Sequence, residues 1–164
     1  MTTPDTRRFR DVLGRFCTGV VVVTGTDGDT PVGFSAQSFV SLSLDPPLVA
    51  VCPARTSSSW PRIRTGGRFC VNVLGADQRR LCESFARRGV DKFAGVPWRP
   101  GVTGAPVLDG VLAWIDCELE AEHEGGDHTI AVGRVRALEV ANEDAAPLLF
   151  YRGGYGAFAP PAGD

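Results

Sequence analysis

Four consecutive small or polar residues, Ser35, Ala36, Gln37 and Ser38, lie in a part of the chain that is otherwise rich in apolar and β-branched residues. A flat ring that rests against a strand requires small side chains for close approach, and hydroxyl or backbone groups that bind its heteroatoms. Ser41 continues the same segment. An exposed edge strand kept soluble by serines would produce the same pattern. This segment alone therefore leaves both interpretations open.

A second polar cluster, formed by Arg55, Thr56, Ser57 and Ser58, comes directly before a predicted helix. A guanidinium, three hydroxyl groups and the free amides of a helix start together suit a phosphate. A plain helix cap would also place a serine here. The arginine beside three hydroxyls favours the phosphate interpretation.

Histidine is scarce in this chain, and His128 stands at the start of a predicted strand, directly after Gly126 and Asp127. Catalysis by a Ser-His-Asp triad is disfavoured, because neighbours on a strand point to opposite faces and no Gly-x-Ser-x-Gly motif is present. No Gly-x-Gly-x-x-Gly or phosphate-loop motif is present either. A histidine at a strand end can also form only a local hydrogen bond. We expect His123, which lies among glutamates, to be solvated.

Composition narrows the classes of partner. The 164 residues carry a net charge of −2, so no global basic field attracts nucleic acid or an anionic membrane. We expect the arginine pairs 79–80 and 87–88 to lie on solvated helix faces. Five scattered cysteines and two histidines predict no metal site, and we expect Cys52, Cys70 and Cys117 to be buried. The chain lacks a signal peptide and a membrane-spanning apolar run, which predicts a cytoplasmic protein.

Periodicity predicts a mainly β chain with peripheral helices, in one domain over residues 1–164 with a core at about 9–158. The predicted helices cover residues 9–19, a segment from Ser58 or Ser59 to Gly66 and Gly67, and a segment from Asp77 to Gly89. Residues 90–110 are predicted to be irregular. The clearest alternation, over residues 112–122, places Asp116 and the glutamates outward. Six or seven strands with two or three helices predict a closed or nearly closed β-barrel.

The chain resembles the flavin reductase-like family in three ordered segments, GFSAQSFVSLSLDPPLVAV, GGDHTIAVGRV and PLLFYRGGYG. The resemblance spans residues 9–158. It implies a Greek-key split β-barrel, a homodimer, and an NAD(P)H-dependent reduction of FMN or FAD. It also implies that reduced flavin passes, by diffusion, to a partner monooxygenase or halogenase.

The resemblance further implies roles for individual residues. Ser35, Ala36, Gln37 and Ser38 would line the isoalloxazine, with Ser41 further along. Arg55, Thr56, Ser57 and Ser58 would hold the flavin phosphate. The remaining residues implied at the cofactor sites are Lys92, Phe93, Asp127, His128, Tyr151, Arg152 and Tyr155. Of these, His128 would position the nicotinamide as the catalytic residue, and Asp127 would shape its turn.

Two positions depart from the family pattern, which has Thr and Asn in many members where this chain has Ser35 and Gln37. The longer Gln37 leaves the choice between FMN and FAD open, and the sequence does not distinguish NADH from NADPH. Other activities also remain open. These are a flavin carrier or sensor without turnover, an oxidase of a phosphorylated small molecule, and a purely structural barrel.

Overall fold

The computed structural model describes residues 5–161, in which three α-helices and a 3₁₀ turn surround antiparallel strands. The helices are α1 (Thr6–Leu13), α2 (Trp60–Gly66) and α3 (Arg79–Ala86), with the 3₁₀ turn at Ala76–Gln78. The strands are β1 (Thr18–Gly19), β2 (Val21–Asp27), β3 (Thr30–Ala36), β4 (Phe39–Leu44), β5 (Pro47–Val51), β6 (Arg68–Val73), β7 (Trp98–Pro100), β8 (Pro106–Leu108), β9 (Ala113–Gly125), β10 (His128–Val140), β11 (Leu148–Tyr151) and β12 (Gly154–Ala157). None of the helices within this range is long and apolar enough to span a membrane.

Seven strands form the main sheet, in the order β3-β2-β6-β9-β10-β5-β4, with every neighbouring pair antiparallel. The two edge strands, β3 and β4, are consecutive in the chain and are joined only by Gln37 and Ser38. Because two residues span so little distance, the edges must meet at this end while the ladder stays open between them. The sheet is therefore a split barrel, as predicted.

Two apolar clusters stabilise the sheet, and the strand β2 contributes to both because its side chains alternate between faces. Val21 and Val23 pack with Ile63 of α2 and Phe69. Val22 joins the second cluster, which contains buried residues of α3 and β8. Burial on both faces explains why this strand reads as a continuous β-branched run. The same packing holds α2 and α3 against the barrel, so that both helices lie next to the candidate site.

The N-terminal helix differs from the prediction of residues 9–19. It ends at Leu13 with Gly14 as its cap, and Thr18 and Gly19 form a short strand paired with β11. Long-range pairing with the C-terminal hairpin thus overrides the local helical periodicity. Residues 90–110, predicted to be irregular, contain the two-stranded hairpin of β7 and β8.

The outward orientation predicted for Asp116 is wrong. This carboxylate is fully buried, and it accepts hydrogen bonds from the backbone N–H of Thr103 at 2.7 Å and from its hydroxyl at 2.6 Å. The loop between β7 and β8 covers this part of β9, so both faces of the strand are enclosed. The expected burial of Cys52 is also only partial, whereas Cys70 and Cys117 are buried and burial raises the pKa of Cys117 to about 12.

A buried amide links three strands, because Asn72 donates to the carbonyl of Val22 at 3.1 Å and to the hydroxyl of Thr24 at 3.0 Å. Its carbonyl oxygen accepts from the N–H of Leu108 at 2.9 Å. An Asn72→Ala variant would remove these three hydrogen bonds and leave the N–H of Leu108 without this partner in the core, so we expect the free energy of unfolding to fall by about 3 kcal/mol. Urea denaturation followed by tryptophan fluorescence measures this change. The exposed Asn142→Ala is the control, and equal effects of the two variants would contradict the prediction.

Candidate functional site

A cavity of about 380 Å³ opens where β3 meets β4, between α3 and the start of β10. This volume lies within the range of small-molecule sites. It brings together residues from four predicted site segments that are far apart in the sequence. These are Ser35, Ala36, Gln37, Ser38, Ser57, Ser58, Lys92 and His128.

The first wall of the cavity is the polar segment at residues 35–38. This segment does not form a single strand. β3 ends at Ala36, and Gln37 and Ser38 form the connection to β4. The Ser35 hydroxyl donates to the carbonyl of Cys82 in α3 at 2.6 Å, and the Ser38 hydroxyl accepts from the N–H of Cys52 at 3.0 Å. These serines therefore hold the wall in place. Their small side chains leave its surface open to a flat ligand.

Ser57, Ser58 and three cations line the second part of the cavity. Thr56 does not line it, but its hydroxyl accepts a hydrogen bond at 3.0 Å from the guanidinium of Arg88, which does. Arg87 also lines the cavity. The Lys92 ammonium donates to the carbonyl of Gly33 at 3.0 Å. Partial burial, and then the charge of Arg88, lower the pKa of Lys92. Three positive charges beside hydroxyl groups are suited to an anion.

Arg87 and Arg88 line the cavity but were not predicted as site residues, because both were expected on a solvated helix face. α3 ends at Ala86, and Arg87 adopts an extended backbone, so both arginines belong to the loop that leads to Lys92. Gly89, with a φ of 71°, marks this departure from the helix. An arginine pair placed directly before a glycine was the signal available in the sequence.

The serine whose hydroxyl caps α2 is also not the predicted one, Ser58 or Ser59. Ser59 is at the cap position, but its buried hydroxyl donates to the carbonyl of Gly33 at 2.8 Å. The Ser57 hydroxyl accepts from the N–H of Trp60 at 3.1 Å instead. Ser58 forms no side-chain cap and lines the cavity.

His128 is held by the tight turn between β9 and β10. Gly126, with a φ of 73°, occupies the first turn position, which is typical of a two-residue hairpin loop. His128 Nδ1 lies 2.7 Å from the Asp127 carboxylate, so the pair fixes the imidazole and leaves Nε2 available to a ligand. The turn is joined to the neighbouring segment, because the N–H of Arg55 donates to the carbonyl of Asp127 at 2.9 Å.

Arg55, predicted at the phosphate, is not brought into this cavity. Its guanidinium lies 3.1 Å from Glu124 and lines a second cavity on the other side of Ala54. Phe93 packs edge-on against Phe85, behind the cavity wall. Ser41 and Tyr151 are exposed on strands β4 and β11, outside the cavity.

Tyr155 also lies beside the cavity and not within it. Its ring packs against Phe150 with centroids 5.1 Å apart, and the Arg79 guanidinium stacks 4.9 Å from its centre. A hydrogen bond with Cys82, followed by burial, raises the pKa of Tyr155 to about 12. A smaller cavity of about 210 Å³ separates Tyr155 from Ser35. Arg152, with a φ of 50°, forms the turn before β12 and lines a further cavity beside α1.

The pairing of His128 with Asp127 can be tested through the pKa of the Asp127 carboxyl. The hydrogen bond from His128 lowers the pKa of Asp127. In a His128→Ala variant we expect this pKa to rise towards its ordinary value of about 3.9, as followed by NMR of the side-chain carboxyl. His123→Ala, a histidine on the adjacent strand, should leave it unchanged. An identical Asp127 titration in His128→Ala and the parent protein would refute the pairing.

Comparison with known proteins places this arrangement in a family. Residues 13–159 match the family model described as a flavin reductase like domain. The chain is 54% identical to the reductase subunit HsaB of a flavin-dependent monooxygenase from Rhodococcus jostii, over 95% of this chain and 80% of that protein.

Solved structures agree with this result. Nitrilotriacetate monooxygenase component B from Mycobacterium thermoresistibile superimposes with a TM-score of 0.93 at 49% identity, covering 98% of this chain and 90% of that one. The NADH:FAD oxidoreductase SgcE6 of Streptomyces globisporus, in complex with NAD and FAD fragments, gives 0.91 at 38% identity and covers 99% of both chains. The predicted membership is confirmed: the chain belongs to the flavin reductase-like family.

Proposed function

We propose that this protein is an NAD(P)H-dependent flavin reductase that passes a hydride from a reduced nicotinamide cofactor to FMN or FAD. The observation that carries the proposal is the single cavity in which the wall at residues 35–38, the cationic loop after α3 and His128 meet. A split barrel alone would not distinguish a reductase from an oxidase or a carrier. The relatives named as a reductase subunit and as an NADH:FAD oxidoreductase support the same activity.

We assign the flavin to this cavity by the chemistry of its two parts. The isoalloxazine suits the wall of Ser35, Ala36, Gln37 and Ser38, where backbone groups and small side chains allow close approach. The phosphate suits the hydroxyls of Ser57 and Ser58 together with Arg88 and Lys92, and Thr56 orients Arg88 by accepting its hydrogen bond. Arg87 adds a third positive charge at the same end. Lys92 contributes to phosphate binding as a cation, and its pKa is lowered. As the pH rises, it therefore loses its charge at a lower pH than an ordinary lysine, and we expect phosphate binding to weaken from that pH.

Hydride transfer between reduced nicotinamide and flavin is chemistry that the two cofactors supply when bound. The residues of this chain then need to orient and enclose them, and no strong acid or base is required. We assign His128 the role of holding the nicotinamide end of the donor through Nε2, with Asp127 fixing the ring. Orientation of this kind lowers barriers by roughly 7–11 kcal/mol in well-ordered systems.

The proposal is tested by NADH and NADPH oxidation with added FMN, FAD or riboflavin. We expect turnover that depends on flavin, and a loss of about tenfold in kcat/KM for His128→Ala, equivalent to about 1.4 kcal/mol of transition-state binding. Lys92→Met should weaken FMN but not riboflavin, which lacks the phosphate. His123→Ala is the matched control. Tight flavin binding without nicotinamide oxidation would overturn the reductase assignment in favour of a carrier, or of an oxidase with another substrate.

A homodimer forms part of the proposal, because β4 presents an apolar face to solvent. Val40, Leu42 and Leu44 are between 50% and 92% exposed, and an apolar cavity of about 660 Å³ lies beside them. A second copy of the chain would cover this face. We expect twice the chain mass of 17.4 kDa by light scattering.

The Val40→Glu, Leu42→Glu double variant should be monomeric, because two carboxylates would then be buried at the interface. Val102→Glu changes an equally apolar residue that is 76% exposed in the loop between β7 and β8, and should remain dimeric. A monomeric parent protein would contradict the proposed dimer.

The proposed partner is a flavin-dependent monooxygenase or halogenase that receives reduced flavin by diffusion; the monooxygenase is supported by HsaB, which is named as the reductase subunit of a flavin-dependent monooxygenase. We propose a cytoplasmic location because all five cysteines are free thiols, which suits a reducing compartment.

A further inference from the structure

A groove of about 530 Å³ lies between α1 and the turn that joins β11 to β12. Its volume is within the range of small-molecule sites. It adjoins the proposed flavin cavity at Gln37, which lines both. We call it the α1 groove. The side chains that decide its chemistry are Phe9, Arg10, Leu13, Phe16, Phe150 and Arg152.

Most of the apolar lining of the α1 groove comes from the N-terminal segment. Phe9 and Leu13 are four residues apart, so they lie on the same face of α1. Phe16 follows the helix, and its N–H donates to the carbonyl of Leu13 at 3.1 Å. These side chains are 54%, 54% and 78% exposed, and no residue of α1, all of which the structure describes, is buried. The apolar face of α1 therefore serves the groove and not the core.

Two guanidinium groups give the α1 groove a net positive charge. Arg10 lies in the last turn of α1, and Arg152 lies in the turn after β11. Neither forms an ion pair with any residue between 5 and 161. No carboxylate from this part of the chain lines the groove, because Asp11 pairs with Arg15 outside it. An anion could therefore bind both guanidinium groups without displacing a partner.

Arg152 occupies a backbone position that favours other residues. Its φ of 50° is left-handed, and it forms a two-residue turn with Gly153, whose φ is 80°. Asparagine followed by glycine is the usual pair in such a turn, because larger side chains are strained at positive φ. The N–H of Arg152 donates to the carbonyl of Gly14 at 3.0 Å, which fixes the turn against the end of α1. Because strained residues concentrate at ligand sites, this position indicates that the arginine has a role besides forming the turn.

These features together select a flat ring that carries an anionic group. Phenylalanine rings pack against aromatic ligands in edge-on or offset arrangements. Planar guanidinium groups bind a carboxylate through two parallel hydrogen bonds. Thr18 and Gln37, whose side-chain oxygens lie 3.4 Å apart, add a hydroxyl and an amide to the lining. A sugar or a free phosphate would leave the rings of Phe9 and Phe16 exposed, so neither suits the groove.

We propose that the α1 groove is a binding site for an aromatic carboxylate. The aromatic ring of the ligand packs against Phe9, Phe16 and Phe150, and its carboxylate binds Arg10 and Arg152. The site is separate from the flavin cavity that it adjoins. The proposal does not rest on the proposed function, because the binding of such a ligand requires no turnover.

The first measurement is calorimetric binding of 2-naphthoate to the parent protein, with 2-naphthamide as a neutral compound of the same shape. We expect the carboxylate to bind about tenfold more tightly, because only it pairs with the guanidinium groups. Phe16→Ala should weaken both compounds by removing a ring. Val12→Ala is the control, since Val12 is exposed on α1 but does not line the groove. Absent naphthoate binding, or equal binding of the amide, overturns the proposal.

Arg10→Gln and Arg152→Asn test the two cations. We expect each to weaken naphthoate binding about tenfold, because each removes a charged hydrogen-bonding partner. Arg152→Asn should leave the thermal unfolding temperature unchanged or raise it, because asparagine tolerates a positive φ better than arginine. Arg8→Gln is the matched control, since Arg8 is exposed on α1 and does not line the groove. The proposal is wrong if all three variants bind naphthoate equally.

Competition separates this site from the cofactor sites. We expect naphthoate to bind with saturating FMN present, and also with NADH in the absence of flavin. Competitive displacement by either cofactor would assign Arg152 to a cofactor site and overturn the proposal.

A second copy of the chain is the alternative occupant of the α1 groove. Light scattering of the parent protein and of Phe16→Ala tests it. A dimeric parent that binds no naphthoate, together with a monomeric Phe16→Ala, would make the groove a subunit interface and overturn the proposal.

Discussion

The two edges of the seven-stranded sheet are joined by only two residues, Gln37 and Ser38, and the rest of the candidate site depends on this constraint. The connection is too short to let the edges separate, yet no ladder pairs β3 with β4. Each edge is instead held from its other side by a serine, because Ser38 accepts from the backbone of Cys52 and Ser35 donates to the backbone of α3. The opening that remains between the two edges is the cavity.

The positive charge around the cavity also depends on how the edge strand β3 is held. The Ser35 hydroxyl ties α3 to the end of β3, so the loop that follows α3 passes over the opening with Arg87, Arg88 and Lys92. Lys92 is anchored at the carbonyl of Gly33 on the opposite side. The lowered pKa of Lys92 reflects the cost of holding it there, partly buried and beside Arg88. A bound phosphate would offset this cost, which is how a site for an anion differs from a solvated basic patch.

Local patterns predicted much of the site, and long-range contacts decided the rest. Residues 35–38 and His128 were found because unusual polar residues stood at strand ends, where they must serve a purpose other than packing. Asp116 was misplaced because its partner, Thr103, belongs to a loop with no periodic signal. Arg55 was assigned to the phosphate by its neighbours in sequence, but Glu124 of the adjacent hairpin attracts its guanidinium to the other side. Arg88 is the converse case, since it reaches Thr56 only through the tertiary fold.

The segment at residues 53–55 shows why one short stretch of backbone can serve two cavities. It is joined to the turn before β10 by hydrogen bonds from the N–H of Arg55 to Asp127 and from the N–H of Thr129 to Pro53. On the strand, His128 lines one cavity and the next residue, Thr129, lines the other. Ala54 lines both cavities, and Arg55 lines the same cavity as Thr129. The shared pairing therefore holds the backbones of His128 and Arg55 in constant register, while their side chains line different cavities.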